Sequence, residues 1–297
     1  MNPTIAALPD LPAAVHFVGV GGIGMSGLAR ILHAWGYDVT GSDSAHSDQV
    51  DLLNKEGIPV SVGHTAVERA TSADLVVATA AVRSGNPELD AAAEAGVPIV
   101  KRAELLGLLA KDRTCVAVAG SHGKSTTSGM LVSALRALGS DPTYAVGAIV
   151  GSTGTNAAPG TSGEMVVEAD EYDYSFLWLK PNFSIVTNID YDHPDLFPDQ
   201  ATYDGAFQDF VAGAPPGGLI AVNGDDPGVR RSLARFRTSP ARLVTYGRSP
   251  GVDWHIDGRT VCSAAGETTE LILQLPGDHN IGNAAAALIV LTGMGYP

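Results

Sequence analysis

Cysteine is nearly absent from this chain: two in 297 residues, Cys115 and Cys262, far apart and outside any C-x-x-C spacing. That excludes a disulfide framework and a cysteine-built zinc site. Cys115 lies in an apolar run and reads as a small core residue. Basic residues are also scarce, with 18 Lys and Arg against 32 Asp and Glu and a net charge of −14. A chain so acidic lacks the basic surface that a nucleic-acid backbone demands, so nucleic acid is not expected as a partner. Long apolar runs are missing; the longest, around 284–291, falls far short of the ~20 residues of a membrane span. The N-terminus has no basic stretch and includes Asp10, which does not fit a signal peptide, so a reducing cytoplasm is the expected location. With 45% apolar and 17% charged residues, the chain belongs among folded globular proteins and is long enough for two domains.

Glycine is abundant, and it clusters where it matters. Residues 115–127 read CVAVAGSHGKSTT, an apolar strand running into Gly120, Ser121, His122, Gly123, Lys124, Ser125 and Thr126. Such a turn frees backbone N–H groups to cradle a phosphate, and the helix expected over 126–138 turns its positive N-terminus to the same anion. Lys124 would reach the outer phosphates of a nucleoside triphosphate, and Ser125 would sit on the bridging magnesium. The usual G-x-x-x-x-G-K-[ST] pattern places its first glycine where Val118 stands, so this loop is two residues shorter.

A second cluster, HFVGVGGIGMSGLARIL at 16–32, fits G-x-G-x-x-G through Gly19, Gly21 and Gly24, between a strand at 15–20 and a helix at 25–35. About twenty residues on, Gly41-Ser42-Asp43 closes a second strand where dinucleotide enzymes keep a ribose-binding acid. Gly22 gives the loop extra room, so any ligand with a diphosphate and a ribose satisfies the same physics.

Strands at 15–20, 37–40, 74–79 and 97–100 alternate with helices at 48–55 and 88–95, followed by a helical segment at 103–111. Strands at 115–119, 165–168, 184–188, 219–222 and 243–246 alternate with helices near 126–138, 202–212 and 226–235. The expected fold class is α/β, a Rossmann-like N-terminal domain over 1–111 followed by a phosphate-loop α/β domain over 112–297. The stretch GAIVGSTGTNAAPGTSG, 147–163, reads as a long glycine-, serine- and threonine-rich loop, either a plain connection or a functional one.

Three further segments carry chemistry. VVEADEYDYSF (166–176) ends a strand in Glu168, Asp170, Glu171 and Asp173, where open α/β sheets bind ligands. SIVTNIDYDHPDLF (184–197) ends another in Asn188, Asp190, Asp192, His193 and Asp195. LPGDHNIGNAAAALIV (275–290) sets His279, Asn280 and Asn283 just before an alanine-rich helix, with Asn280 either at the edge of an adenine or, like Asn283, a plain helix cap.

In this order, GVGGIGMSGLA, GSD, NPE (86–88), AGSHGKSTT, EADEYD, TNIDYDHPD and PGDHNIGNAAAA resemble the Mur ligases of peptidoglycan synthesis across essentially the whole chain. The resemblance implies a first domain that binds UDP-N-acetylmuramate, with Gly21, Gly22, Ile23, Gly24 and Met25 at its diphosphate and Ser42 and Asp43 near its nucleoside. It implies a central domain that binds ATP through Gly120–Thr126, with Ser125 and Glu168 on one Mg2+ and His193 on a second. Asn188 would support the phosphate site, and His279 and Asn280 would flank the base. L-Alanine is the implied second substrate, joined through an acyl phosphate. Family members continue into a third, amino-acid-binding domain, and none is expected within these 297 residues. A family member that attaches a tripeptide, a non-catalytic UDP-sugar-binding chain and a Rossmann oxidoreductase binding NAD remain as rival readings.

Overall fold

The computed structural model describes residues 5–82 and 84–297. They form two compact units, one running through Leu109 and taking in Thr143–Ile149 and Gly154–Thr161, the other holding Ala110–Pro142, Val150–Thr153 and Ser162–Pro297.

The first unit is built from β1 (Ala14–Val18), α1 (Ile23–Ala34), β2 (Asp38–Asp43), α2 (Asp48–Lys55), β3 (Val60–Val62), α3 (Val67–Ser72), β4 (Leu75–Ala78), α4 (Pro87–Glu94), β5 (Ile99–Lys101) and α5 (Arg102–Ala110). Its sheet runs β3-β2-β1-β4-β5, every pairing parallel. Strand order reverses at β1, and in open α/β sheets a ligand crevice forms outside the carboxyl ends at such a reversal. The first turn after β1 is Gly19–Gly22, with Gly19 in the left-handed region at φ 83°. Side chains alternate across the sheet, so His16 shares a face with Val18, which packs on Ala70, Val76 and Ala92 under α3 and α4. A fully buried histidine thus lies beside this apolar layer, against the buried Thr40 and Glu88.

The second unit opens with β6 (Thr114–Ala119) and α6 (Lys124–Ala137); the chain then runs through β7 (Thr143–Val150) and β8 (Thr155–Ala158), which belong to the first unit apart from Val150. It continues with β9 (Glu164–Glu168), a 3-10 segment (Tyr172–Trp178), β10 (Phe183–Val186), α7 (Gln200–Ala212), β11 (Leu219–Asn223), α8 (Pro227–Phe236), β12 (Arg242–Gly247), β13 (Trp254–Asp257), β14 (Thr260–Ser263), β15 (Thr268–Glu270) and α9 (Asp278–Gly293). From β9 through β6, β10, β11 and β12 to β13 the strands are parallel, and β14 and β15 extend the edge antiparallel. Helix α9 packs on α6 and β11 and is buried nearly all round, Ala284, Ala285, Ile289 and Val290 among its buried residues. No helix among the described residues is long and apolar enough to cross a membrane.

The expected loop at 147–163 is corrected by β7 and β8. Tyr144, Val146 and Ala157 are buried, Gly160 N donates to Thr143 Oγ1 at 3.0 Å, and Asn156 Nδ2 donates to Ile23 O at 3.3 Å. A Cβ at Gly27 of α1 would lie 2.6 Å from Ala157 Cβ. Small residues here serve close packing rather than slack, which composition alone does not reveal.

Candidate functional site

In the second unit, β6 delivers the chain into the glycine turn, and α6 starts at Lys124 with Gly123 at its N-cap in the left-handed region, φ 85°. Gly120 has φ 137°, and a Cβ there would run into Thr187 Oγ1, while a Cβ at Gly123 would come 3.1 Å from Asn283 Oδ1. Gly120 is therefore required by space as well as by conformation, and Gly123 by its left-handed conformation. His122 N donates to Asn188 Oδ1 at 2.9 Å, and Asn188 Nδ2 returns a bond to His122 O at 2.9 Å. Ser121 Oγ donates to Asp190 O at 2.7 Å and lies 2.9 Å from Tyr203 OH. The segment after β10 thus clamps the turn along its length.

Ser125 Oγ donates to Glu168 Oε1 at 2.6 Å, which joins the first turn of α6 to the end of β9. Lys124 Nζ donates to Gly120 O at 2.6 Å and pairs with Glu171 Oε2 at 2.7 Å. Glu171 is 1% exposed and also accepts from Tyr203 OH at 3.1 Å. Burial, with the nearby Glu171 charge adding to it, pushes the Tyr203 phenol well above its ordinary range even though the Ser121 contact works the other way. His193 Nε2 lies 3.8 Å from Glu171 Oε1 and 3.9 Å from Asp192 Oδ2. Asp173, Tyr174 and His193 adopt positive φ of 52°, 54° and 56°, uncommon for residues with a Cβ; all three flank this acidic corner.

The structure joins Gly120–Ser125, Glu168, Asn188 and His193 around one strand edge. It also corrects several details. Strand β10 ends at Val186, so Asn188 and His193 stand on the loop beyond it rather than on the strand. His279, Asn280 and Asn283 lie inside α9, whose N-cap is Gly277, so neither asparagine caps it. Asn280 is buried, donates to Pro276 O at 2.7 Å and accepts from Asn283 at 3.4 Å. Asn283, with His279, Asn188, Tyr246 and Asp225, lines a small cavity of about 150 Å³ beside the glycine turn. Burial alone would raise the Asp225 carboxyl, but bonds from Arg248 N and Ser249 and the Arg230 charge hold it below the usual range. The sequence marks Glu171 only as one of four acids at a strand end, and it carries no signal for Tyr203.

In the first unit, Gly19, Gly22, Asp43, His64, Thr79 and Asn86 help line a cavity of about 680 Å³. Gly21 N donates to Asp43 Oδ2 at 2.8 Å, and a Cβ at Gly21 would sit 2.8 Å from that same oxygen. Asp43 thereby holds the glycine turn. Gly22 has nothing within 4 Å of a would-be Cβ, and Gly24 lies over Arg102. Ile23 is half exposed at the start of α1, whereas Met25 is a core side chain. Ser42 is wholly buried and donates to Glu88 beneath the cavity floor.

Two α/β units, each with a glycine turn at the carboxyl edge of a parallel sheet, define a protein of the nucleotide-binding α/β class. More narrowly, the chain belongs to the Mur ligase family: residues 14–114 match the Mur ligase family, catalytic domain, and residues 118–291 the Mur ligase middle domain. It is 42% identical over 295 residues to the UDP-N-acetylmuramate--L-alanine ligase of Clavibacter michiganensis subsp. michiganensis, covering 97% of this chain and 61% of that protein. The chain thus spans about three fifths of the length of that relative. Among solved structures, UDP-N-acetylmuramate:L-alanyl-gamma-D-glutamyl-meso-diaminopimelate ligase from Neisseria meningitides superposes with a TM-score of 0.83 at 26% identity, covering 96% of this chain and 94% of that one. UDP-N-acetylmuramate-alanine ligase from Thermotoga maritima superposes with a TM-score of 0.77 at 31% identity, covering 96% and 66%.

Proposed function

We propose that this chain serves in the ATP-dependent ligation of L-alanine to UDP-N-acetylmuramate, with the sugar nucleotide in the cavity of the first unit and ATP on the glycine turn of the second. The observation that carries the reading is the paired placement of Lys124 on Glu171 and Ser125 on Glu168 at one phosphate-type turn. The reaction needs two steps. The lactyl carboxylate attacks the γ-phosphorus of ATP, giving an acyl phosphate and ADP; the alanine amine then attacks the acyl carbon, phosphate leaves and the nitrogen loses a proton. Both steps crowd anions together, so fixed positive charge is the main requirement. Lys124 supplies it at the turn, with Glu171 fixing where its ammonium points. The backbone N–H groups of the turn and the N-terminus of α6 add donors. Asn188 holds the turn in shape, and His279 with Asn283 borders the place for the base.

Magnesium fits the donors present. A hydroxyl and a carboxylate, Ser125 and Glu168, already touch, and His193 stands at the same acidic corner as a single ligand for a second ion. Among the described residues no group of three or more His, Cys, Asp or Glu could hold a metal, which suits an ion that takes most of its ligands from phosphate and water. When bound, it would neutralise phosphate charge. Because both ligands are nucleotides of the cell interior, the reading carries a cytoplasmic location with it.

The chain should bind UDP-N-acetylmuramate and Mg-ATP in isothermal titration and ignore NAD; NAD binding with indifference to the sugar nucleotide would overturn the reading. A second acceptor, the tripeptide, is the alternative suggested by the name of the Neisseria structure, which superposes with a TM-score of 0.83. Phosphate release dependent on tripeptide rather than L-alanine would decide for it.

A further inference from the structure

The first unit contains a buried polar cluster that phosphate binding does not need. Glu88, the second residue of α4, is wholly buried. Its Oε1 accepts from Ala66 N at 2.7 Å, and its Oε2 accepts the Ser42 hydroxyl proton. Two imidazoles face the same Oε2 from 3.6 Å, His16 through Nε2 and His64 through Nδ1. His16 is pinned by Thr40 Oγ1 at 2.8 Å from Nδ1, and its buried Nε2 has no hydrogen-bond partner among the described residues. Burial alone would raise the Glu88 carboxyl, but the His16, Ser42 and Ala66 contacts outweigh it and hold the group below its ordinary range. Glu88 is thus a fixed negative charge under the cavity floor.

That charge sets the state of His64. Because Ser42 gives its proton to Glu88, the Ser42 oxygen is left to accept, and His64 Nδ1 lies 3.3 Å from it. Nδ1 is therefore the donor in this contact, and the tautomer that matches it keeps its lone pair on Nε2. His64 also lines the 680 Å³ cavity; with Nδ1 turned inward, the opposite nitrogen is the one left to a ligand. Its place along the sheet gives the part of the ligand it meets. The glycine turn follows β1, Asp43 ends the neighbouring β2, and His64 comes just after β3, outermost in that direction. A nucleotide with its diphosphate at the turn after β1 and its ribose near the end of β2 brings its base toward β3.

We propose that His64 is the base-selecting residue of this cavity, accepting the N3–H of uracil on Nε2, with Glu88 and Ser42 as positioning residues that hold the accepting tautomer. The inference rests on the reading of this cavity as a uridine-nucleotide site. Uracil offers a donor at N3, whereas cytosine offers only a lone pair there. Two acceptors face to face leave both unpaired, the situation in which a polar site rejects an analogue most strongly.

Calorimetric titration of the whole chain with UDP and with CDP tests this directly. The unsubstituted chain should prefer UDP by about tenfold or more. His64→Ala should bring the two within about threefold by weakening UDP, and His64→Gln, whose amide oxygen can accept, should keep the preference. An unchanged ratio in His64→Ala would sink the proposal, while failure of the unsubstituted chain to bind either nucleotide would sink the underlying site reading instead. The 15N resonance of His64 Nε2 should be that of a bare ring nitrogen and should move on adding UDP. Glu88→Gln, or Ser42→Ala should the first not fold, should shift that resonance toward the protonated form and lower the UDP preference. If neither the resonance nor the ratio changed in a folded variant, Glu88 and Ser42 would have no positioning role.

Discussion

Lys124 Nζ and Glu171 Oε2 form a 2.7 Å ion pair in which the carboxylate is 1% exposed and the ammonium 17%. A pair this deep constrains both partners, because removing one strands the other's charge. Lys124→Met should therefore lower the unfolding free energy by about 3 kcal/mol and abolish Mg-ATP binding. Urea denaturation and calorimetry would measure the two effects. The double variant Lys124→Met/Glu171→Leu should recover most of the stability but none of the binding. Recovery of binding in the double variant would show that Lys124 does not meet the nucleotide.

The two glycine turns should respond oppositely to a single methyl group. At Gly120, φ is 137° and the methyl would strike Thr187, so Gly120→Ala should destabilise by more than about 2 kcal/mol. At Gly22, φ is −69° and nothing lies within 4 Å. Gly22→Ala should leave stability within about 0.5 kcal/mol while weakening UDP-N-acetylmuramate, since the added group would stand in open space beside the cavity. Equal loss of stability in both variants would contradict the geometry.

Much of this arrangement was legible in the chain. Runs such as Val116–Ala119 and Ile220–Val222 are apolar throughout because they are buried on both sheet faces, and a glycine turn followed by Lys124 and Ser125 has few other uses. What escaped reading depended on tertiary placement. Strand β8 is made of small residues and Asn156, and its close approach to α1 at Gly27 explains why. Asn280 and Asn283 are three apart on one helix face, and the seating of α9 alone decides that Asn283 lines the cavity. Glu171 meets Lys124 just before a 3-10 segment that contains two left-handed residues, Asp173 and Tyr174, a bend that residue type does not announce. The third strand of the first sheet was missed because β3 is short and its Ser61 and Val62 are exposed.

The two thiols should differ sharply in reactivity. Burial pushes the Cys115 thiol up to about 12, and thiolate is the reactive form, whereas Cys262 is partly exposed on β14. A disulfide reagent at pH 8 should label Cys262 alone in the native chain and both residues in urea. Rapid native labelling of Cys115 would mean that β6, which feeds the phosphate-type turn, opens readily.

Glu88 should make the first unit acid-sensitive. Its folded carboxyl lies below the ordinary range although burial opposes this, because His16, Ser42 and Ala66 all favour the charged form. Such a group adds stability above the unfolded carboxylate value, near pH 4.3 to order of magnitude, and that stability disappears as pH falls through the lower folded value. The native chain should therefore lose stability steeply from about pH 5 downward. Other depressed carboxyls, Asp225 among them, act in the same direction, so the comparison that isolates Glu88 is with Glu88→Gln. That variant should be less stable than the native chain at neutral pH, and the gap should narrow as acid is added. Thermal melts from pH 7 to pH 3 would follow it. A gap that stayed constant across this range would show that Glu88 is uncharged in the folded protein, and the buried carboxylate would then lack the charge that its neighbours are arranged to meet.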